Sequence, residues 1–309
     1  MKTIPIDEIL PRKSDQYLQE VLNLYADNLD EVVNFGTHVL KWDVEKKREG
    51  KDNHIPSLFL RNIIELGDAI AILIRKSSID PCKNLIRSLY ENCLSILYIL
   101  EENEDERAHC FMVWKAKRDL KYYKQFITSN QSSKELKAKL RKDHLKLKLE
   151  KYFDRDDIRE VVHAKISLLK QDKFKEVAIE YERTTRSTKN PNWHSLFNGP
   201  RNFQELSYYF KKTIEYEFQY RKYSENVHAT GLLKGFADAG DDKVQIIQIR
   251  DFENSKDIYI GTVSYLLIAY NEIILKRIPE QRDEFLKWHL SFRDVNNNTI
   301  RDKQFVYRK

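Results

Sequence analysis

The sequence predicts an all-α, multi-helix bundle with long amphipathic helices and at most one short extended segment, near residues 244–250. Three observations predict it. The 309 residues include only 8 glycines and 7 prolines, against usual shares of about 7% and about 5%. Tight turns are therefore few, and sandwich, propeller and glycine-rich nucleotide folds are disfavoured. Apolar positions recur at three- and four-residue steps along much of the chain. Hydrophobic residues make up 41% and charged residues 33%, enough apolar side chain for a core and too much for a disordered chain.

The first helix runs from Asp15 to about Lys47. Its positions Leu18, Val21, Leu22, Tyr25, Leu29, Val32, Val33 and Val39 form one helical stripe, with Ser14 or Asp15 as the cap. Gly50, Asp52 and Asn53 end it. A second helix spans Pro56 to Lys76; its run Ala69–Ile74 is apolar on most sides and should be buried. Asp80-Pro81 opens a third helix, with Asp80 at the cap and Pro81 at the first helical position, running to Leu100. The acidic run Glu101–Glu106 precedes a fourth, which carries Phe111, Trp114, Leu120, Tyr122, Tyr123 and Phe126. A polar break at 128–133 leads to a charged helical stretch ending near Phe153, then to shorter helices at 156–170 and 172–185 and a loop over 184–192. Phe203 to His228 reads as one long, aromatic-rich helix with Gly231 as its terminator. Val244–Arg250 alternates as a strand would, and is expected as a lone extended segment. A last helix covers 256–276. The domain organisation expected is an N-terminal helical extension (1–53), a helical core (54–278) with a charged insertion at 128–190, and a polar C-terminal tail (279–309).

Cys82, Cys93 and Cys110 make an odd count without a CxxC pair, which argues against a disulfide scaffold or a zinc site and for a reducing cytoplasm. The first residues lack the apolar run of a secretory signal. The most apolar stretches, 70–74, 94–100 and 258–270, fall short of the ~20 residues that cross a bilayer. A cytoplasmic protein with no membrane contact is expected. The net charge is +6, but residues 115–151 hold 13 Lys or Arg against 4 acids. The basic excess is thus local, on a body that is slightly acidic elsewhere. Such clustering is the footprint of a phosphate-backbone binder, and it is also what a solvated helix pair would carry. On the first reading Lys137, Lys139, Arg141, Lys142, Lys146 and Lys148 contact nucleic acid.

One constellation could carry chemistry. In Tyr220-Arg221-Lys222-Tyr223-Ser224-Glu225-Asn226-Val227-His228-Ala229, Arg221, Ser224 and His228 share a helical face at i, i+3 and i+7. A guanidinium can hold phosphate oxygens bidentately and stabilise charge growing in a transition state. An imidazole titrates near neutrality and can move the proton of a 2′-hydroxyl or a leaving group. Arg221, His228 and Ser224 are therefore the candidate catalytic residues, for chemistry that requires no metal or cofactor. The competing reading pairs Arg221 with Glu217 or Glu225 and makes His228 part of a structural polar site. Arg61-x-x-x-Glu65 and Arg87-x-x-x-Glu91 have the spacing of helical ion pairs within largely apolar helices, so both are expected to be semi-buried. Arg87 and Glu91, with Tyr223, are the candidate pocket-lining residues facing Ser224 and His228.

Other constellations are thin. His109 and Cys110 are badly spaced for two ligands on one face, and His163, His194 and His289 lack partners at metal-ligand spacing. Asp238, Asp241 and Asp242 do not follow the Ca²⁺-loop pattern. No GxxxxGK[ST], GxGxxG or GxSxG occurs, so ATP hydrolysis, dinucleotide chemistry and hydrolase-elbow chemistry lack support.

The Arg-x6-His spacing of Arg221 and His228 resembles the Arg-x4–6-His motif of the HEPN ribonucleases, helical proteins that are often dimeric. It departs from their commoner form in having Lys222 where a polar Asn, Asp or His follows the arginine. A broader resemblance rests on Arg87-Ser88-Leu89-Tyr90-Glu91 with Leu94–Tyr98, Arg107-Ala108 before an aromatic helix, and Tyr223-Ser224-Glu225-Asn226-Val227-His228-Ala229. Together these resemble bacterial domain-of-unknown-function family 5677, over roughly residues 55–275. That resemblance implies a helical fold with a shared polar site on an Arg-x-x-x-Glu helix and a Ser-x-x-x-His helix. It implies no reaction. The function expected is a HEPN-like, metal-independent ribonuclease or RNA-binding effector of a toxin–antitoxin or antiphage system. The alternative is a non-catalytic helical binding or scaffold module with a basic docking surface. RNA, an acidic protein or a second copy of the chain are the expected partners.

Overall fold

The computed structural model describes residues 3–12, 15–48, 54–143, 148–227, 231–238, 244–250 and 252–301. In chain order its helices are α1 (Gln16–Glu45), α2 (Ile55–Arg75), α3 (Ile79–Glu101), α4 (Glu104–Lys124), α5 (Gln131–Asp143), α6 (Asp156–Leu169), α7 (Lys175–Ser187), α8 (Phe203–Tyr209), α9 (Arg221–Val227), α10 (Ser255–Arg277) and α11 (Arg282–Arg301). A π-helical turn (Glu215–Tyr220) leads into α9, and two three-residue strands, β1 (Phe236–Asp238) and β2 (Val244–Ile246), pair antiparallel. The all-α class stands. Of the alternating segment at 244–250 only Val244–Ile246 is a strand, and it is not alone, with Phe236 opposite Ile246. The chain divides into two compact units, Met1–Glu102 with Ser207–Lys309, and Asn103–Leu206.

In the first unit α1 packs on α2 and α10, α2 on α3, and α10 on α3. Asp15 caps α1, its side chain accepting the Leu18 N–H at 3.1 Å, as the sequence predicts. Leu22, Leu29, Leu60, Ile63, Ile70 and Ile74 are fully buried, each contributing about 1.5–3 kcal/mol through burial. Tyr25 stacks on Tyr259 with centroids 5.0 Å apart. Gly36 admits the buried Tyr270 ring, because a Cβ there would lie 2.5 Å from its Cζ. α1 is thus part of the core, where the sequence suggested an extension. Among the described residues α10 is the one helix long and apolar enough to cross a membrane. More than half of that apolar stretch is buried here, against α1 and α3.

At the end of this core lies a buried ion network. Asp43 accepts from Arg277 Nε at 2.8 Å, Arg48 Nη2 at 2.7 Å and Ser57 Oγ at 2.6 Å. Burial alone would raise the Asp43 carboxyl; the bonds and charge of Arg277, then Ser57 and Arg48, outweigh it and hold the group below its ordinary range. Residues 282–301, within the stretch expected as a polar tail, are helical. Phe285 and Phe292 of α11 are buried, and Trp288 stacks on Phe35 at 4.0 Å.

In the second unit α4 packs on α6, α7 and a tight turn, Trp193–Asn198. Glu180 of α7 organises that turn. Its carboxylate accepts from Arg183 Nε (2.6 Å), Thr184 Oγ1 (2.9 Å) and the backbone N–H of Phe197 (2.9 Å), which stands at φ 52°. These bonds, that of Arg183 first, bring the Glu180 carboxyl down to about 2. His194 is buried in the same turn, Nδ1 2.6 Å from the Pro200 carbonyl. Burial lowers its pKa to about 4, so it is neutral near pH 7.

Candidate functional site

The stretch expected as one helix over 203–228 is broken. Lys211 adopts φ 56° after α8, and the Lys212 N–H bonds back to the Ser207 carbonyl at 2.8 Å. No glycine or proline marks this break. Tyr90 of α3 occupies it, its hydroxyl donating to Ser207 Oγ at 2.9 Å. The chain then enters the π-helical turn, where the Arg221 N–H bonds to the Tyr216 carbonyl, five residues back. Such a turn inserts one residue into the helical repeat and re-aims the side chains beyond it; π-bulges are frequent at functional sites.

Two layers of polar contacts result. The inner layer joins the π turn to α3. Arg87 Nη2 donates to the Tyr220 hydroxyl at 2.8 Å, and that hydroxyl donates to Glu91 Oε1 at 2.7 Å. The Arg87 guanidinium also lies over the Tyr220 ring, 4.7 Å from its centroid, and 3.4 Å from Glu91. Burial first, and then donation to Glu91, push the Tyr220 phenol up to about 12, so it stays a neutral donor near pH 7. Arg87 Nε is buried with no hydrogen-bond partner among the described residues. The floor is tight: a Cβ on Gly261 of α10 would lie 2.7 Å from Gln219 Nε2, and Tyr265 donates to Gln219 Oε1.

The outer layer faces solvent. Arg221 Nη1 pairs with Glu217 at 2.5 Å, and Tyr208 donates to the same carboxylate at 2.7 Å. The Tyr208 bond first, and then that of Arg221, hold the Glu217 carboxyl below its ordinary range. The Arg221 side chain remains 64% exposed. Toward the N-terminus of α3, Lys83 pairs with Asp80 at 2.5 Å, and Lys234 donates to Asn226 Oδ1 at 2.5 Å.

Of the predicted catalytic residues, Arg221 and Ser224 sit on α9, one turn apart, and His228 lies outside the described residues. The Ser224 hydroxyl, expected to orient an imidazole, donates instead to the Tyr220 carbonyl at 2.8 Å, a common fate of a mid-helix serine. Arg87 and Glu91 do face this segment and are half-buried, as expected, but they meet at Tyr220, one turn before Ser224. Tyr223 is buried, and burial raises its phenol. Arg61 and Glu65 pair at 3.0 Å on the surface, both well exposed, where semi-burial was expected. Their face of the helix points to solvent, and the apolar Leu58 and Ile72 beside them are exposed too. Lys139, Arg141, Lys142 and Lys148 are exposed; Lys137 is drawn inward, and Lys146 lies outside the described residues. Among the described residues no group of three or more His, Cys, Asp or Glu is placed to hold a metal ion.

Sequence reasoning offered Glu217 as a partner of Arg221, and the pair is formed; it passed over Tyr220. The available signal was the i,i+4 spacing Tyr220–Ser224, hidden in an aromatic run that reads most simply as core.

A family model described as a family of unknown function, DUF5677, matches residues 53–244. No curated protein and no solved structure matches the chain.

Proposed function

The chain belongs to the DUF5677 family, and from that premise we propose that it is an RNA-binding effector with HEPN-like, metal-independent ribonuclease chemistry, of the kind that serves toxin–antitoxin or antiphage defence. The observation that carries this reading is the position of Arg221. Its guanidinium stands on the solvent side of α9, and its carboxylate partner Glu217 is itself partly exposed. Exposed ion pairs are worth about 0–1 kcal/mol, so an RNA phosphate can compete for the guanidinium. In this reading Arg221 holds the scissile phosphate and stabilises its growing charge. His228 takes the proton of the 2′-hydroxyl as that oxygen attacks phosphorus, a water molecule protonates the leaving 5′-oxygen as its bond breaks, and the imidazolium returns its proton to the hydroxide so formed. Ser224 retains acceptor capacity and would take an N–H of the imidazole. Arg87, Tyr220 and Glu91 hold the segment in place from below.

The test compares wild type, Arg221→Ala and His228→Ala on total RNA in the presence of a chelator, alongside growth on expression. Loss of about 10²–10⁴-fold in cleavage is expected for His228→Ala, with growth arrest relieved. Equal cleavage by a folded His228→Ala variant removes the catalytic reading. The competing reading, a non-catalytic binding or scaffold module, draws on the closed bonding among Arg87, Tyr220 and Glu91, and equal cleavage would favour it.

A further inference from the structure

The basic segment is not uniform. On α4 most cations are matched within their own unit: Lys115 pairs with Asp119, Lys117 with Glu182, Lys121 donates to Asn190, and Arg118 lies over the Trp114 ring, with only the terminal Lys124 left exposed and untied among the described residues. On α5 they are not. Lys134, Lys139, Arg141 and Lys142 are exposed, and none is tied by a hydrogen bond or ion pair to another described residue.

These four project from an excursion closed at its base. The Thr128 N–H donates to Asp154 Oδ1 at 3.0 Å, the Thr128 hydroxyl donates to the other carboxylate oxygen, and the Asp154 N–H donates to the Phe126 carbonyl at 2.9 Å. Phe126 packs on Phe153 at 5.9 Å. Lys137 braces the inside, its ammonium 4.5 Å from the Phe153 centroid and donating to Thr128 Oγ1 at 2.9 Å. A 13-residue helix crowded with like charges is a poor helix by itself; the clasp and the Lys137 brace hold it. At the same base stand two exposed tyrosines, Tyr122 against Phe126 and Tyr152 next in sequence to Phe153.

We infer that the outer face of α5 is a docking surface for the phosphate backbone of single-stranded RNA, with Tyr122 and Tyr152 as platforms on which bases stack. The charge complementarity is that of a polyanion, and the exposed rings favour splayed bases over a closed duplex. The inference rests on the RNA reading above and assigns its electrostatic contact to α5, without Lys137 and without α4.

The test measures affinity for a fluorescent oligouridine across a salt series, in a His228→Ala background so that cleavage does not intervene. Each phosphate contact contributes about 0.7 to the log–log salt slope. The fourfold variant Lys134→Gln/Lys139→Gln/Arg141→Gln/Lys142→Gln should flatten the slope by up to about 3 and bind at least tenfold more weakly. Lys115→Gln/Lys117→Gln should leave the slope as it was. Changing Lys134, Lys139 and Lys142 to arginine should preserve binding, which separates lost charge from lost helix. Tyr122→Ala should weaken binding with the salt slope intact. A fourfold variant that binds as its parent does, or an α4 variant that loses as much, overturns the α5 assignment while the RNA reading stands. A parent that binds no RNA overturns both, whatever acidic protein it captures.

Discussion

Tyr220 links three partners through one hydroxyl. It accepts from Arg87 and donates to Glu91, and its ring carries the guanidinium. Tyr220→Phe keeps the ring but leaves a half-buried cation and carboxylate without their shared bridge. We expect a loss of about 1–3 kcal/mol in urea unfolding, whereas Arg61→Ala, which removes an exposed helical pair, should stay within about 0.5 kcal/mol. Asp43→Ala should be more severe, about 3–5 kcal/mol, because it strands the buried Arg277 charge. The pH dependence has a definite sign. Asp43 is lowered in the fold, so its contribution is complete above the ordinary carboxylate range and is lost as the pH falls through its folded value. The wild-type acid-unfolding curve should carry that step and the Asp43→Ala curve should lack it. Arg87 and Glu91 were legible as a pair because i,i+4 spacing is a local property. Their meeting point was not, since Tyr220 lies 129 residues from Glu91 and only the fold brings them together.

Elements were legible where their causes are local. The stripe of α1, the Asp15 cap and the apolar α10 follow from spacing and side-chain type. The break at Lys211 does not, because Tyr90 imposes it from another helix. The Trp193–Asn198 turn was missed for a related reason: a carboxylate on α7 holds Phe197 at positive φ. That turn should titrate. His194 has a pKa of about 4 in the fold against an ordinary 6.5, so the unfolded chain takes up the proton first as pH falls. Its contribution is complete above about pH 6.5 and is lost toward pH 4. Glu180 contributes fully above its ordinary 4.5 and loses its effect only toward pH 2. Melting temperatures measured between pH 7 and pH 5 should therefore fall in wild type and fall less steeply in His194→Gln. Glu180→Gln should lower stability throughout that range and leave the slope unchanged.

For the molecule as a whole, class and family were legible and the partition was not. Periodicity reports which face of a helix is apolar; it does not report which other helix covers that face. Phe285, Trp288 and Phe292 fall at helical steps, yet the polar residues around them made the segment read as a tail. Trp288→Ala should lower the melting temperature of the protein, since it removes the ring stacked on Phe35 and the bond from its indole N–H to Glu31. The first unit is assembled from Met1–Glu102 and Ser207–Lys309, while Asn103–Leu206 is one continuous run. During synthesis, the apolar faces of α1, α2 and α3 leave the ribosome long before α10, which closes over α1 and α3. The continuous unit can finish folding while these three helices are still waiting for their last partner. Nascent chains stalled before residue 255 should therefore recruit chaperones that chains released after residue 277 no longer need.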